Sequence, residues 1–465
     1  MNYARRRILQ AGLFGGLGAM TSAASGQTGG PAGSKRVRGV VFMVSDGMSH
    51  GVIPMAEAMS RLVARRGTHW RELLESSAAA HGLMDTASAT GLVTDSAASS
   101  SAWSCGQRVP NGHINVTDKG RQMEPIAAAV RAGKGRVGLV TTATVTHATP
   151  AGFGACTPDR GDEQGIAPQY LDRADIVLGG GAAYFDAGRR RDKRDLTGEF
   201  AKAGYEVVSD RSSLLASRGQ RLLGTFASGH LPFTLDWMHD DELKQRVPTL
   251  AEMAGAALAR LLAGDAPFLL QVEGGRVDHG AHANDIGALL WDQLAFDEAI
   301  GAVLAAIAGR DDILVVITSD HGNGNPGLNG MGSGYRRTNE SFARVTRQQA
   351  SHERVLAEWK KKGGGARGLA ELIERRIGFR PEDEEAEALC DTLGGKEVVE
   401  WNHLLASPQG LLGQIACNHT GVGWTSTGHT ADHTLLTSTG AGCGRFHGLV
   451  RNDAVRGILL ELLFG

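Results

Sequence analysis

The chain has 465 residues, of which 42% are hydrophobic and 21% are charged, and its formal net charge is −2. These values are ordinary for a soluble globular protein, and they provide no surplus of basic residues for binding nucleic acid. Glycine is the exception, because its 65 residues make up about 14% of the chain against a usual ~7%. The length suits one large α/β domain with insertions or two or three small domains.

Residues 1–26 are typical of an export signal rather than of a folded segment. Three arginines, Arg5, Arg6 and Arg7, precede an apolar stretch rich in glycine and alanine, and small residues follow it. This order predicts a twin-arginine signal peptide and therefore a periplasmic or secreted protein. The stretch is too short and too rich in glycine for a membrane anchor. Its removal changes the formal net charge from −2 to −5, because it contains three arginines and no acidic residue.

Short apolar runs alternate with helical patterns between residues 37 and 321. The helices, of which the longest is predicted to be amphipathic, carry apolar residues at i, i+3 and i+4 spacing. The alternation predicts an α/β fold with a mostly parallel central sheet and helices on both faces. In chain order the clearest elements are the strand VRGVVFMVS, the helix QMEPIAAAVRAG, the strands RVGLVTTA and ADIVLGGG, the helix TLAEMAGAALARLLAG, the strand PFLLQVEGG, the long helix NDIGALLWDQLAFDEAIGAVLAAIAG and the strand DILVVIT.

This pattern breaks between residues 322 and 423. A loop rich in glycine and asparagine, GNGNPGLNGMGSG, precedes charged helical stretches that are interrupted by KKK and GGG. We interpret this segment as an insertion at the rim of the sheet, with its charges exposed to solvent. Residues 424–465 return to the core with GWTSTGHTADHTLLTSTG and end in a helix, NDAVRGILLELL. The predicted core therefore comprises residues 37–321 and 424–465.

The stretch TDSAASSSAWSCG at residues 94–106 begins a predicted helix at Asp95 and Ser96. Taken alone, it is a helix cap, since Asp or Ser before an Ala/Ser run satisfies the free N–H groups of a helix start. No G-x-S-x-G elbow and no neighbouring histidine mark Ser96 as a nucleophile. A nucleophilic role would require another group to lower the pKa of the Ser96 hydroxyl, which a metal ion can do.

Oxygen and imidazole ligands follow four of the predicted strands. Because the carboxyl ends of parallel strands meet at one edge of a sheet, we expect these side chains to converge. Clustered carboxylates repel one another and resist ionisation, so the cluster predicts divalent cations, and mixed His/Asp sets suit zinc. The residues are Asp46, His147, Thr149, Glu273, Asp278, His282, Asp320 and His321.

Six segments together resemble the alkaline phosphatase family, and they occur in the family's order over residues 37–321 and about 424–443. The resemblance implies a metal-dependent hydrolase of small phosphate monoesters that acts through a phosphoserine intermediate. It also implies two zinc ions and a third ion, usually magnesium. The segments are SDGM (45–48), TDSAASSSAWSCG (94–106), HATPAG (147–152), VEGGRVDHGAHAND (272–285), TSDHG (318–322) and TGHTAD (427–432).

The same resemblance implies a role for each matching residue. Ser96 would be the nucleophile, and Arg160, eleven residues after Thr149, would bind the phosphate group. The ligands would be Asp278, His282 and His429 for the first zinc ion, Asp46, Asp320 and His321 for the second, and Asp46, Thr149 and Glu273 for the third ion.

Two residues depart from the pattern of some bacterial members of the family. His147 and His279 stand where those members carry Asp and Lys, and the His/His pair is similar to the vertebrate-type pattern. Both side chains are expected beside the ligands of the third ion, whose identity they leave open. Without the resemblance, Arg160 in CTPDRGDEQ would be a surface arginine paired with Asp159 or Asp162.

Two other functions remain open. A phosphodiesterase or sulfatase of the same superfamily tends to use Thr or a modified Cys as its nucleophile, so Ser96 with Arg160 favours a monoesterase. A non-catalytic zinc- or phosphate-binding protein would need the ligands but not Ser96. The sequence leaves open the physiological ester, the oligomeric state, for which a homodimer is one option, and the pairing of the five cysteines. At least one thiol stays free among Cys105, Cys156, Cys390, Cys417 and Cys443.

Overall fold

The computed structural model describes residues 37–396 and 402–465. The predicted signal peptide at residues 1–26 lies outside the described residues. The strands are β1 (Gly39–Ser45), β2 (Ala79–Asp85), β3 (Arg136–Thr144), β4 (Ile176–Gly180), β5 (Glu206–Val208), β6 (Leu222–Thr225), β7 (Phe268–Gly274), β8 (Ile313–Thr318), β9 (Gly322–Asn323), β10 (Gly327–Leu328), β11 (Val422–Gly423), β12 (His429–Thr430), β13 (Thr434–Gly440) and β14 (Gly448–Arg451).

The α-helices between and after these strands cover the sheet and form most of the segment that follows β10. They are α1 (Val52–Val63), α2 (His69–Glu75), α3 (Ser96–Cys105), α4 (Ile126–Ala132), α5 (Ala148–Gly154), α6 (Glu163–Ile166), α7 (Leu196–Lys202), α8 (Arg211–Ala216), α9 (Thr234–Met238), α10 (Asp241–Arg246), α11 (Leu250–Leu262), α12 (Arg276–His282), α13 (Ile286–Ala306), α14 (Thr338–Ala343), α15 (His352–Lys362), α16 (Gly365–Ile377), α17 (Asp383–Leu393), α18 (Pro408–Thr420) and α19 (Val455–Phe464).

Ten strands form one central sheet in the order β14-β2-β13-β8-β1-β7-β3-β4-β6-β5. The seven strands from β8 to β5 run parallel to one another. β13 runs antiparallel to its neighbours β2 and β8, whereas β14 is parallel to β2. Two short pairs, β9 with β12 and β10 with β11, are separate from this sheet. The predicted α/β fold with a mostly parallel sheet is confirmed.

Both faces of the sheet are buried, as β1 illustrates. Val41 and Met43 belong to a hydrophobic cluster that includes side chains of α1, α11 and α13. Val40, Phe42 and Val44, which alternate with them, belong to a second cluster with side chains of α3, α5 and α19. A strand that is covered on both faces needs apolar side chains at every position, which explains its continuous apolar run.

The longest helix, α13, is buried around most of its surface, so the predicted polar face is wrong. Several of its polar side chains are buried and accept hydrogen bonds from other segments. Gln293 Oε1 accepts from Ser45 Oγ at 2.6 Å, and Asp297 Oδ1 accepts from the backbone N–H of Trp70 at 2.9 Å. The polar residues that suggested a solvent-exposed face instead tie α13 to the sheet and to α2.

Residues 322–423 contain helices α14 to α18 and a hydrophobic cluster of their own. Val355 of α15, Leu369 and Ile373 of α16, Leu389 of α17 and Leu412 of α18 are all buried in this cluster. The segment leaves the core through β9 and β10 and returns through β11 and β12, which pair with those two strands. The boundaries of the insertion at residues 322 and 423 stay a prediction.

The cysteines and helices bear on the expectations about disulfides and membrane anchoring. All five cysteines are free thiols, and burial is the main cause that raises the pKa of the Cys105 and Cys156 thiols. These two side chains therefore stay protonated and act as packing residues. Among the helices in residues 37–396 and 402–465, none combines the length and the apolar character that crossing a bilayer requires.

Candidate active site

Three adjacent strands carry predicted ligands to one edge of the sheet. β1 lies between β7 and β8, and the register aligns Val44 with Glu273 on one side and with Thr318 on the other. Asp46 lies two residues after Val44, and Asp320 lies two residues after Thr318. The three carboxylates of Asp46, Glu273 and Asp320 therefore leave the sheet at nearly the same height along the strands. All three are fully buried. The parallel register therefore brings these three carboxylates together, as the sequence predicted.

Other predicted ligands are carried by short elements at the same edge. α12 presents Asp278 and His282 at i and i+4, which places both side chains on one face of the helix. α5 begins directly after His147 and carries Thr149 in its first turn. β12, which pairs with β9 directly after β8, supplies His429.

The first group consists of Asp278, His282 and His429. His282 Nδ1 lies 2.7 Å from the carbonyl oxygen of Thr427, and His429 Nδ1 lies 2.9 Å from that of Thr94. Because a carbonyl only accepts, both Nδ1 atoms carry the proton in neutral rings, and both Nε2 atoms present lone pairs. These Nε2 atoms are 3.1 Å apart, and Asp278 Oδ2 is 3.3 Å from Nε2 of His282. The lone pairs and the carboxylate fit a shared cation.

The second group consists of Asp46, Asp320 and His321, and it adjoins Ser96. His321 Nε2 is 3.1 Å from Ser96 Oγ, 3.2 Å from Asp320 Oδ2 and 3.7 Å from Asp46 Oδ1. Burial, with the neighbouring carboxylates, raises the pKa of Asp46 well above its usual value. Burial also raises the pKa of Asp320 to about 7. A cation in this group would relieve the repulsion between the two carboxylates.

The third group consists of Asp46, His147 and Glu273, so it adds a histidine to the expected ligands of the third ion. His147 Nδ1 lies 3.9 Å from Asp46 Oδ2 and 3.9 Å from Glu273 Oε1. Burial alone would raise the pKa of Glu273, but the neighbouring His147 and the hydroxyl of Thr141, which donates to Glu273 Oε2, outweigh it and lower that pKa. Thr149 lies at the start of α5 with its hydroxyl buried. The expected position of His147 beside this group agrees with the geometry.

Asp95, rather than Ser96, caps α3. Asp95 Oδ1 accepts from the backbone N–H of Ala98 at 2.9 Å, and Ser96 is the first residue of the helix. Asp95 Oδ2 accepts from Arg160 Nη1 at 3.0 Å and from the backbone N–H of Gly112 at 2.9 Å. The cap is thus separate from the hydroxyl, so Ser96 Oγ can face His321 at the N-terminus of α3. Such a terminus also favours an anionic group.

Arg160 is half-buried against the site instead of lying on the open surface. The alternative pairing with Asp159 or Asp162 is not what the structure has, because Arg160 binds Asp95 and donates from Nη2 to His147 Nε2 at 3.2 Å. A guanidinium can only donate, so His147 Nε2 accepts and the neutral ring carries its proton on Nδ1. Arg160 therefore links the cap of α3 to the third group.

Sequence analysis missed three residues that contact the site. Asn323 Nδ2 donates to Asp278 Oδ1 at 2.7 Å, and its signal was a polar residue just after a ligand-bearing strand. Arg276 Nη1 lies 2.9 Å from His279 Nδ1. The ring of His230 packs 4.4 Å from that of His279, and its neighbours FASG and LP in the sequence contain no signal that could have identified it.

Five buried oxygen atoms at this edge have no hydrogen-bond partner among the described residues. They belong to four side chains at this edge, and burial of a polar atom without a partner lowers the stability of the fold. Cations are the groups that such a set of acceptors fits. The atoms are Asp46 Oδ1, Asp46 Oδ2, Thr149 Oγ1, Glu273 Oε1 and Asp320 Oδ2.

Comparison with known proteins identifies the family. A sequence model described as "Alkaline phosphatase" matches residues 37–463. Alkaline phosphatase 3 of Bacillus subtilis (strain 168) is 28% identical over 379 residues, which cover 78% of this chain and 75% of its own length. Streptomycin-6-phosphate phosphatase of Streptomyces griseus is 33% identical over 342 residues, which cover 63% of this chain and 75% of its own.

A solved structure agrees with these relatives. The crystal structure of Thermus thermophilus alkaline phosphatase superposes with a TM-score of 0.87 at 36% identity, covering 92% of both chains. The resemblance that the six sequence segments indicated is therefore confirmed over almost the whole length of the described residues. The chain belongs to the alkaline phosphatase family and is a phosphoric monoester hydrolase.

Proposed function

We propose that the chain is an exported, metal-dependent phosphate monoesterase that acts through a phosphoserine intermediate on Ser96. The observation that carries this proposal is the position of Ser96 Oγ, 3.1 Å from His321 Nε2, beside buried carboxylate oxygens that have no hydrogen-bond partner among the described residues. Few other roles would keep a buried serine hydroxyl against such a group. Export to the periplasm or the medium rests on the predicted twin-arginine signal alone.

Three ions fit the three groups of ligands. Mixed imidazole and carboxylate sets with a free position suit catalytic zinc, whereas a set rich in oxygen suits magnesium. When bound, these ions would lower the pKa of the serine hydroxyl and neutralise charge on the transferred phosphoryl group. The zinc ligands would be Asp278, His282 and His429 at one site and Asp46, Asp320 and His321 at the other, and the magnesium ligands would be Asp46, Thr149 and Glu273.

Ser96 and Arg160 would have different roles in the reaction. Ser96 Oγ would form a bond to phosphorus while the bond between phosphorus and the ester oxygen breaks, releasing the alcohol. Arg160, held by Asp95, would bind the oxygens of the phosphoryl group that do not react, as its fork of donors allows. Water would then hydrolyse the phosphoserine, which regenerates Ser96 and releases inorganic phosphate.

His147 bears on the identity of the third ion. In the hydrogen-bond pattern described above, its Nδ1 presents an N–H group to Asp46 and Glu273, so it suits a water or carboxylate oxygen better than the ion itself. This arrangement favours magnesium, which keeps several waters. A competition between zinc and magnesium, read by anomalous scattering in wild type and His147→Asp, would contradict this if zinc displaced magnesium only from the wild type.

The test of the proposal is the covalent intermediate. The protein is incubated with inorganic phosphate at acidic pH and digested, and we expect phosphoserine in the peptide that contains Ser96. Ser96→Ala should lose at least about 10³-fold in kcat while it keeps its metal content, because serine removal leaves the other ligands in place. The control is Ser101→Ala, a buried serine of the same helix whose hydroxyl binds the backbone N–H of Asn115. Label on another residue would overturn the assignment.

A second measurement separates this function from related ones. Rates on an aryl phosphate, a bis-aryl phosphate and an aryl sulfate are compared on the same preparation. We expect the monoester to be the preferred substrate, because Arg160 and three cations suit a group with two negative charges. Preference for the diester or the sulfate would instead favour the phosphodiesterase or sulfatase alternative.

A further inference from the structure

His279 packs against His147 of the third group and forms one wall of the site. This wall is connected to the 322–423 segment through one buried arginine, Arg276. We propose that Glu353, at the start of α15, holds Arg276 and thereby fixes the ring orientation and the tautomer of His279. Arg276 is then a positioning residue, and the insertion has a function at the site. This inference rests on the proposed function, because the value of a fixed His279 lies in its position beside the third group of ligands.

Arg276 is almost fully buried, and three segments fix its guanidinium. Its Nη1 lies 2.9 Å from His279 Nδ1, and its Nη2 donates to Glu353 Oε2 at 3.0 Å. The guanidinium carbon lies 3.6 Å from the ring centroid of Phe233, which is a cation–π distance. Because a guanidinium is a rigid planar fork, the position of Nη2 determines the position of Nη1.

The contact with Nη1 determines which nitrogen of His279 carries the proton. A guanidinium only donates, so His279 Nδ1 must accept, and the neutral ring carries its proton on Nε2. The rings of His279, His147 and His230 form a triangle, in which the His279 centroid is 5.6 Å from that of His147 and 4.4 Å from that of His230, and the other two are 5.8 Å apart. His279 therefore presents one N–H donor of fixed direction on this wall.

Glu353 can hold Arg276 because the start of α15 is itself fixed to the core. Asp236 accepts from the backbone N–H of Ser351 at 2.9 Å and from its hydroxyl at 2.6 Å. Asp285, which caps α13, accepts from the backbone N–H of His352 at 2.5 Å and from Gln348 Nε2 at 2.7 Å. The first turn of α15 thus has a defined place relative to α12.

Stability alone does not distinguish a positioning role from a structural one. The side chain of Glu353 is 67% exposed, but Arg276 is buried, so removing the Glu353 carboxylate leaves a buried guanidinium without its anionic partner. We therefore expect Glu353→Ala to lower the melting temperature. It should also release Arg276 Nη2 and loosen the orientation of His279, which a merely structural role would not change.

The experiment uses the full metal-loaded protein and reads the His279 ring by two-bond proton–nitrogen correlation, assigned with His279→Gln. We expect Nε2–H in the wild type, a mixture of tautomers in Arg276→Met and in Glu353→Ala, and recovery in Glu353→Gln, which keeps an acceptor. The inhibition constant for inorganic phosphate and the magnesium concentration for half activation should rise about 10-fold in Arg276→Met. Both should rise several-fold in Glu353→Ala.

The matched control is Glu358→Gln, on the same helix. Glu358 pairs with Lys362 and Arg376 within the insertion, so this variant should match wild type in every measurement. A proton on Nδ1 of His279 in the wild type would overturn the proposal, and so would equal behaviour of Glu353→Ala and Glu358→Gln. The tautomer does not depend on turnover, so failure here is distinct from failure to form phosphoserine on Ser96.

Discussion

Carboxylates have opposite environments at two places in the molecule. One is the ligand edge, where β1, β7 and β8 carry Asp46, Glu273 and Asp320 at their ends, and the other is the insertion at residues 322–423. At the edge, Asp46, Glu273 and Asp320 are fully buried, and each has an oxygen that no described residue contacts by a hydrogen bond. In the insertion, exposed carboxylates form surface ion pairs, such as Glu371 with Arg367 at 3.1 Å and Glu374 with Arg380 at 2.9 Å. Burial without a partner costs stability, whereas an exposed pair is nearly neutral. The comparison teaches that burial and pairing, not the number of charges, distinguish a site from a surface.

Removal of bound ions should have the largest effect, because it leaves the buried carboxylates of the ligand edge without positive charges beside them. A chelator should abolish aryl phosphate hydrolysis and lower the melting temperature by on the order of 5 °C or more, since the buried carboxylates then repel one another. Both effects should reverse when zinc and magnesium are added back. Differential scanning fluorimetry and rate measurement on one sample provide the readout. An unchanged melting temperature with full activity would contradict the assignment of the edge as an ion site.

Arg160→Ala should have the next largest effect, and it should weaken phosphate binding more than it slows chemistry. The loss of a charge-assisted, forked contact should cost about 1.5–3 kcal/mol in phosphate affinity, which is roughly 10- to 150-fold. Competitive inhibition by inorganic phosphate measures this cost. Arg131→Ala is the control, because Arg131 pairs with Asp175 instead. Equal inhibition of Arg160→Ala and wild type would make Arg160 a residue without a role in binding.

Asp292 sharpens the comparison because it is a buried carboxylate whose two oxygens are both bonded, to the backbone N–H and hydroxyl of Thr234. Burial raises the pKa of Asp292 to about 7. Folding therefore favours the protonated form, so this group's contribution to stability is present at low pH and is lost as pH rises through about 7. Asp292→Asn does not titrate.

The difference in unfolding free energy between wild type and Asp292→Asn should therefore shift in favour of the variant between pH 5 and pH 8. Urea unfolding at three pH values measures it. The exposed carboxylate variant Asp241→Asn is the control, and it should show no such trend. A pH-independent difference for Asp292→Asn would mean that the folded protein does not bind this proton.

Arg367→Ala should have the smallest effect, because its pair with Glu371 is exposed. We expect a loss within about 0.5 kcal/mol in the free energy of unfolding and no change in kcat or KM. For comparison, Arg131→Ala should cost about 1–3 kcal/mol, because it removes a donor from Asp175, which is buried. A large loss of activity in Arg367→Ala would show that the insertion's surface charges also serve the site.

The parts of the fold that could be predicted from sequence are those that burial alone determines. β1, β7 and β8 are covered on both faces, so their residues form continuous apolar runs. β2, with the sequence AAHGLMD, was not predicted, because it is largely half-buried and contains histidine and glycine. The antiparallel direction of β13 depends on where the chain returns after the insertion, and its own residues do not encode that.

The site divides in the same way. Asp46, Glu273 and Asp320 could be predicted because the ligand position and the strand that carries it are adjacent in sequence. The contact of Arg160 with Asp95 joins residues 65 positions apart, and that of Arg276 with Glu353 joins residues 77 positions apart. Contacts of this kind depend on how loops and helices pack, which local pattern does not specify.

The pairing of β12 with β9 has a consequence for the assembly of the first group. His429 lies about 150 residues after Asp278 in the sequence, and it comes close to Asp278 through the antiparallel pair that β12 forms with β9. Asp46, Glu273 and Asp320, in contrast, converge as soon as β1, β7 and β8 have paired. The proposed first ion site is therefore complete only after the segment between β9 and β12 has folded, as expected of a contact with so large a sequence separation.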